Sequence, residues 1–133
     1  MQTKNVLGLK EVNAILDAAQ REAQANDWRI TVAIADDSGE LLGLRRLDGA
    51  APMTAMVSAQ KARTAALSHK ETRVFEDMIN GGRTAFLSAP LEGLLEGGVP
   101  VLVDGQVIGA VGVSGVKSDQ DAQVAKAGIA AII

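Results

Sequence analysis

The sequence contains no cysteine and no tyrosine. Without cysteine there are no disulfides, no thiolate nucleophile and no thiolate metal site. Aromatic residues are almost absent too: Trp28, Phe75 and Phe86 are the whole set in 133 residues. The core must then be aliphatic and alanine-rich, with closely packed elements, and the stacking platforms used on single-stranded nucleic acid are missing. No basic run occurs and the formal net charge is −3, which argues against a phosphate-backbone partner. The single histidine, His69, excludes a multi-histidine metal centre. No apolar run is long enough to cross a membrane, and the N-terminus lacks the apolar stretch and cleavage site of a signal peptide. These absences predict one cytoplasmic domain over residues 1–133, long enough for a real core.

What is present centres on residues 97–115. Two apolar runs, Val99–Val103 and Gln106–Val113, flank Asp104-Gly105, a strong hairpin signal because glycine supplies positive φ cheaply. The nearly continuous apolar run predicts strands covered on both faces. Gly109, Gly112 and Gly115 mark a bulge or a close approach of a helix, a second subunit or a ligand.

Upstream, helical spacing over Leu9–Asn26 predicts a first helix. Ile30–Ala35 and Glu40–Leu47, joined by Asp36-Asp37-Ser38-Gly39, predict a first hairpin. A second helix is predicted over Met53–His69. Alanines 55, 59, 62 and 66 form a bare face suited to a sheet, and a separate polar stripe carries Thr54, Ser58, Lys61, Thr64 and Ser68. A shorter helix follows over Glu71–Asn80, closed by Gly81-Gly82. Residues 83–96 are irregular, with room for a short strand or a single turn. Ser118 is the expected N-cap of a last helix over Ala122–Ile133. The order α-β-β-α-α-β-β-α implies an α+β fold: an antiparallel sheet of two hairpins flanked by helices.

Chemistry-bearing residues each have a functional and a structural reading. Lys61 is a base or anion clamp if partly desolvated, otherwise a surface lysine. His69 is a proton-transfer group, or a helix-end residue whose charge suits the last carbonyls. Arg46 and Asp48 clamp a substrate carboxylate, or pair with each other to close the hairpin loop. Gly97-Gly98 before Val99-Pro100 offers backbone N–H groups to an anion, aided by Arg83, or makes a sharp bend. Ser114 offers a hydroxyl or N–H to a ligand. Gly109-Ala110-Val111-Gly112-Val113-Ser114-Gly115 is not a nucleotide loop: its spacing is wrong, and Asp119 and Asp121 at the next helix start would repel phosphate.

Taken together, Val32-Ala33-Ile34-Ala35-Asp36 with Ser38-Gly39, Arg46-Leu47-Asp48-Gly49-Ala50, Lys61-Ala62-Arg63-Thr64-Ala65, Gly97-Gly98-Val99-Pro100, Val103-Asp104-Gly105, the 109–115 run, and Gln120-Asp121 with Ala125-Lys126-Ala127-Gly128 resemble the GlcG/HbpS family, which includes the C-terminal domain of PduO-type proteins. The resemblance implies a profilin-like fold, assembly as dimers, tetramers or octamers, and in several members haem binding, one being linked to haem breakdown. Haem-binding members use a histidine from the first-helix region; here that helix has none. The residue types that hold haem iron reduce to His69 and Met1, Met53, Met56 and Met78.

Three functional expectations follow. The first is a protein that binds a small molecule, haem or an organic acid, at a subunit interface near Ser58 and the polar stripe, Gly97–Pro100 and Ser114. The second is a cofactor-free catabolic enzyme (isomerase, lyase or hydrolase) with Lys61 or His69 as base and Arg46 or Arg83 as carboxylate clamp. The third is a structural subunit of a homo-oligomer.

Overall fold

The computed structural model describes residues 1–133. Helix α1 (Leu9–Ala25) buries Val12, Ile15, Leu16, Ala19 and Ala23, one stripe at helical spacing. At its start the Gly8 N–H donates to Glu11 Oε1 (3.1 Å). Strands β1 (Thr31–Asp36) and β2 (Leu41–Arg46) form the first hairpin, and β3 (Gly98–Val103) and β4 (Gln106–Ser114) the second. Asp104 (φ 52°) and Gly105 (φ 77°) both take the left-handed conformation, as a two-residue turn matched to strand twist requires.

The four strands make one antiparallel sheet in the order β2-β1-β4-β3. Helices α1 and α4 (Ser118–Ile129) cover one face, and α2 (Met53–Ser68) covers the other. Strand alternation sorts the residues between the layers. Val32, Ile34, Val99, Val101, Val111 and Val113 join α1 and α4 in the main core. Ala33, Ala35 and Ala110 face α2, where they meet Ala62, Ala65 and Ala66. With no large side chain between them, helix and sheet backbones come very close. A Cβ on Gly112 would lie 2.1 Å from the Ser58 carbonyl oxygen and 2.5 Å from the Ala62 nitrogen; one on Gly98 would lie 2.4 Å from the Lys61 carbonyl oxygen. The close approach marked by Gly112 is therefore to helix α2.

Helix α3 (Arg73–Asn80) starts two residues later than the sequence suggests, after Thr72. A 3₁₀ turn over Thr84–Ser88 fills part of the irregular stretch. Two expectations need correction. Helix α4 begins at Ser118, not Ala122, and Lys117 is its N-cap; the Lys117 N–H donates to Gln120 Oε1 (3.3 Å). The bare alanine face of α2 is not the side turned to the sheet as a unit. Ala62 and Ala66 are buried, Ala55 and Ala59 only half so, while Thr54, Ser58, Lys61 and Thr64 are buried with them. A polar stripe goes inward because each of these side chains finds a partner.

The contact at Gly112 has a measurable consequence. Gly112→Ala forces α2 off the sheet and costs about 3 kcal/mol, at the upper end of overpacking penalties, read as a lowered denaturation midpoint; Gly105→Ala, with nothing within 4 Å of its Cβ, pays only the backbone cost of a positive φ.

Candidate functional site

The buried polar groups of α2 are satisfied one by one. Thr31 and Thr54 hydroxyls share a 2.8 Å hydrogen bond, Ser58 Oγ donates to the Ala55 carbonyl (3.1 Å), and Thr64 Oγ1 donates to the Glu92 carbonyl. Lys61 is 2% exposed. Its Nζ donates to the Val113 carbonyl at the end of β4 (2.9 Å) and to Asp121 Oδ2 of α4 (3.1 Å). Asp121 Oδ1 accepts from the Val116 N–H in the turn between β4 and α4 (3.1 Å). One ammonium thus links α2, β4 and α4. Burial pushes the Asp121 carboxyl up to about 6 from an ordinary 3.8, while the Lys61 charge and the Val116 N–H pull it back.

The predicted glycine bend closes over this pair. A Cβ on Gly97 would sit 2.9 Å from Lys61 Nζ and 3.0 Å from Asp121 Cβ. The Gly98 N–H, expected to be free for an anion, donates instead to Thr72 Oγ1 (2.8 Å), and the Gly97 carbonyl accepts from the Val113 N–H (3.0 Å). Ser114 is buried at the β4 end opposite Thr31. Lys61, Gly97 and Gly98 pack together, with Ser58 and Ser114 buried on the neighbouring helix and strand; none of the five lines any of the five principal clefts. Asp121 completes the centre. Read from sequence as a repulsive charge at a helix start, it is aimed inward; its spacing from Lys61, 60 residues away, carried no signal.

The other named residues lie elsewhere. His69 caps α2 in the left-handed conformation (φ 62°), exposed in a shallow cleft with Lys4, Asp37, Leu102 and Val107. It is eight residues from Lys61, about 12 Å along the helix. Arg83 is exposed, its guanidinium 5.6 Å from the Phe86 ring centre. Arg46 and Asp48 form no ion pair: Arg46 Nε donates to the Ala50 carbonyl (3.1 Å), and both residues line a cleft of about 530 Å³ with Arg29, Arg45 and Trp28.

A further groove, of about 280 Å³, runs between α2 and the β1–β2 hairpin, and sequence reading missed it. Ala35, Leu41, Met56 and Ala59 form its walls, with Glu40 and Arg63 at the rim, paired at 3.2 Å. It lies where α2, which packs mainly on β4, β1 and β3, covers the edge strand β2 least. Leu41 is 56% and Met56 60% exposed.

Comparison with known proteins agrees with this architecture. The family model described as "Haem degrading protein HbpS-like" matches residues 7–130. The chain belongs to the HbpS-like family. It is 57% identical over 114 residues to Protein GlcG of Escherichia coli strain K12, covering 86% of this chain and 85% of that protein. Among solved structures, the PduOC:heme complex superimposes with a TM-score of 0.87 at 28% identity, covering 96% of both chains. HbpS superimposes with a TM-score of 0.88 at 28% identity, covering 100% of this chain and 94% of that one. No helix of this protein is long and apolar enough to cross a membrane.

The buried pair makes two predictions. Because the folded state holds the Asp121 proton more tightly than the unfolded state, this group's contribution to stability is full below pH 3.8 and declines as pH rises through about 6. Carboxyl ¹³C shifts across pH 3–8 should place its midpoint near 6, and Lys61→Met should move that midpoint higher. Lys61→Ala, which leaves the carboxylate buried without its partner, should cost about 3–5 kcal/mol in chemical denaturation.

Proposed function

We propose that this protein binds a small amphipathic molecule of the haem class in the groove between α2 and the β1–β2 hairpin, with a second copy of the chain completing the site. The observation that carries the reading is the uncovered flank itself. Leu41 and Met56 line this groove and are both exposed, and Leu44 of β2 and Met53 of α2 are exposed too. Exposed apolar patches of this kind mark ligand or partner surfaces.

The groove has the residue types that haem needs. Ala35, Leu41 and Ala59 would face the apolar ring, Met56 offers a thioether of the kind that ligates haem iron, and Arg63 at the rim would take a propionate. Bound haem would supply iron for redox or oxygen chemistry. The chain's part is to hold and orient the ring and to exclude water from one side of it.

At about 280 Å³ the groove falls below the usual size of a complete ligand site, roughly 300–1,000 Å³. The β2 edge also keeps unpaired backbone groups, whereas the opposite edge, β3, carries Pro100, which blunts pairing. Both features favour a homo-oligomer formed across β2. A cofactor-free enzyme with Lys61 as base is the weaker reading, because Lys61 is enclosed by Val113, Asp121 and Gly97.

The test is haem titration followed by visible absorption. The wild type should give a saturable change, Met56→Ala should weaken binding by about tenfold or more for loss of an iron ligand (about 1.4 kcal/mol per tenfold), and His69→Ala should leave it unchanged. Absence of saturation, or loss in His69→Ala with retention in Met56→Ala, would overturn the assignment.

A further inference from the structure

The polar cleft at the far end of β2 is separate from the groove and has its own chemistry. It is built where α1 ends and β2 ends, from Gln24, Trp28, Arg29, Arg45, Arg46 and Asp48. Three arginines line it, in a chain whose net charge is −3. Trp28 and Leu47 are its only apolar lining residues, so it suits a polar ligand.

The three arginines are not equally committed. Arg45 is held in place by Asp17 Oδ1 and Gln20 Oε1, both 2.8 Å from its Nη1. Arg46 gives only its Nε to the Ala50 carbonyl, which leaves both terminal nitrogens for another acceptor. Arg29 makes no hydrogen bond or ion pair with its side chain. Its stem is nonetheless positioned: a Cβ on Gly49 would lie 2.8 Å from Arg29 Cδ and 3.2 Å from Nε, so the missing side chain of Gly49 is the notch in which Arg29 lies. Gly49 also has φ +82°, a conformation that favours glycine. Across the cleft, Asp27 holds a left-handed conformation (φ 60°) at the end of α1, where glycine is the usual residue. That choice keeps a carboxylate at the cleft mouth.

A guanidinium whose stem lies in the Gly49 notch and whose donors are all free, lining the same cleft as a second with its terminal pair free, is an arrangement for receiving a planar or tetrahedral oxyanion through paired N–H donors. Asp27 and Asp48 are acceptors for donors on the same molecule. The geometry points to a second binding site, formed by Arg29 and Arg46, for a small polar molecule that carries a carboxylate or phosphate group together with N–H or O–H donors. Arg45, already anchored, closes the side of the cleft against α1.

The experiment uses ¹⁵N-labelled full-length protein at constant ionic strength, titrated separately with inorganic phosphate and with succinate. Saturable amide shifts confined to residues 27–29 and 45–49 are expected, with half-saturation raised about tenfold or more in Arg29→Gln, as loss of a charge-assisted pair implies. Arg29 is exposed and free of partners, so this variant should fold as the wild type does. Saturation by phosphate alone assigns the phosphate class, and saturation by succinate alone the carboxylate class. Absence of saturable shifts with both probes, or equal half-saturation in wild type, Arg29→Gln and Arg46→Gln, would overturn the proposal.

Discussion

A lysine ammonium enclosed among an alanine face, a glycine bend and a strand end has to be neutralised where it lies. Lys61 meets that requirement with one carboxylate and one carbonyl, and in doing so joins α2 on one side of the sheet to α4 on the other through the end of β4. Much of the surrounding geometry follows. Gly97 must lack a side chain because Nζ and Asp121 occupy that space, and Gly98 must lack one because the α2 backbone passes over it. Thr72 takes the N–H that this crossing leaves without a strand partner. A buried ion pair of this kind is weak evidence for stability in itself, but breaking it by removing one partner is costly. In the structure it ties α2 to the end of β4 and to α4 at one point.

The sheet carries the same constraint in its side chains. Aliphatic residues on one face of β1 and β4 fill the space to α1 and α4, and alanine and glycine on the other admit α2 at backbone contact. That the strands are covered on both faces was legible from their nearly continuous apolar runs; which residues face which layer follows from the register seen in the structure. Hairpins, element order and antiparallel pairing were legible for the same reason: turn residues and periodicity are local signals. The partner of Lys61 was not, because Asp121 is brought to it only by the tertiary fold. Nor was the inward turn of the polar stripe, since periodicity shows that residues share a helix face without showing what that face meets.

The surfaces where this fold offers binding chemistry lie where its layers end. Helix α2 covers β2 least of the four strands, and Leu41 and Met56 stay exposed on that flank. The first helix and the first hairpin finish at the same corner, so their arginines collect there. The chain belongs to the HbpS-like family, with structural neighbours that include a haem complex of PduOC, and in its fold the centre is closed while the open clefts lie at the edges. Lys61, read from the sequence as a base or anion clamp if partly desolvated, lies buried in an ion pair with Asp121 that links helix and sheet.

The claim that binding occurs at the flank and not at the Lys61 centre is tested most directly by amide hydrogen exchange of the wild-type protein with and without haem. The account predicts slowed exchange in residues 35–44 and 53–60, with residues 97–98 and 113–121 unchanged. Protection concentrated at Gly97–Gly98 and around Asp121, or no protection anywhere, would contradict it.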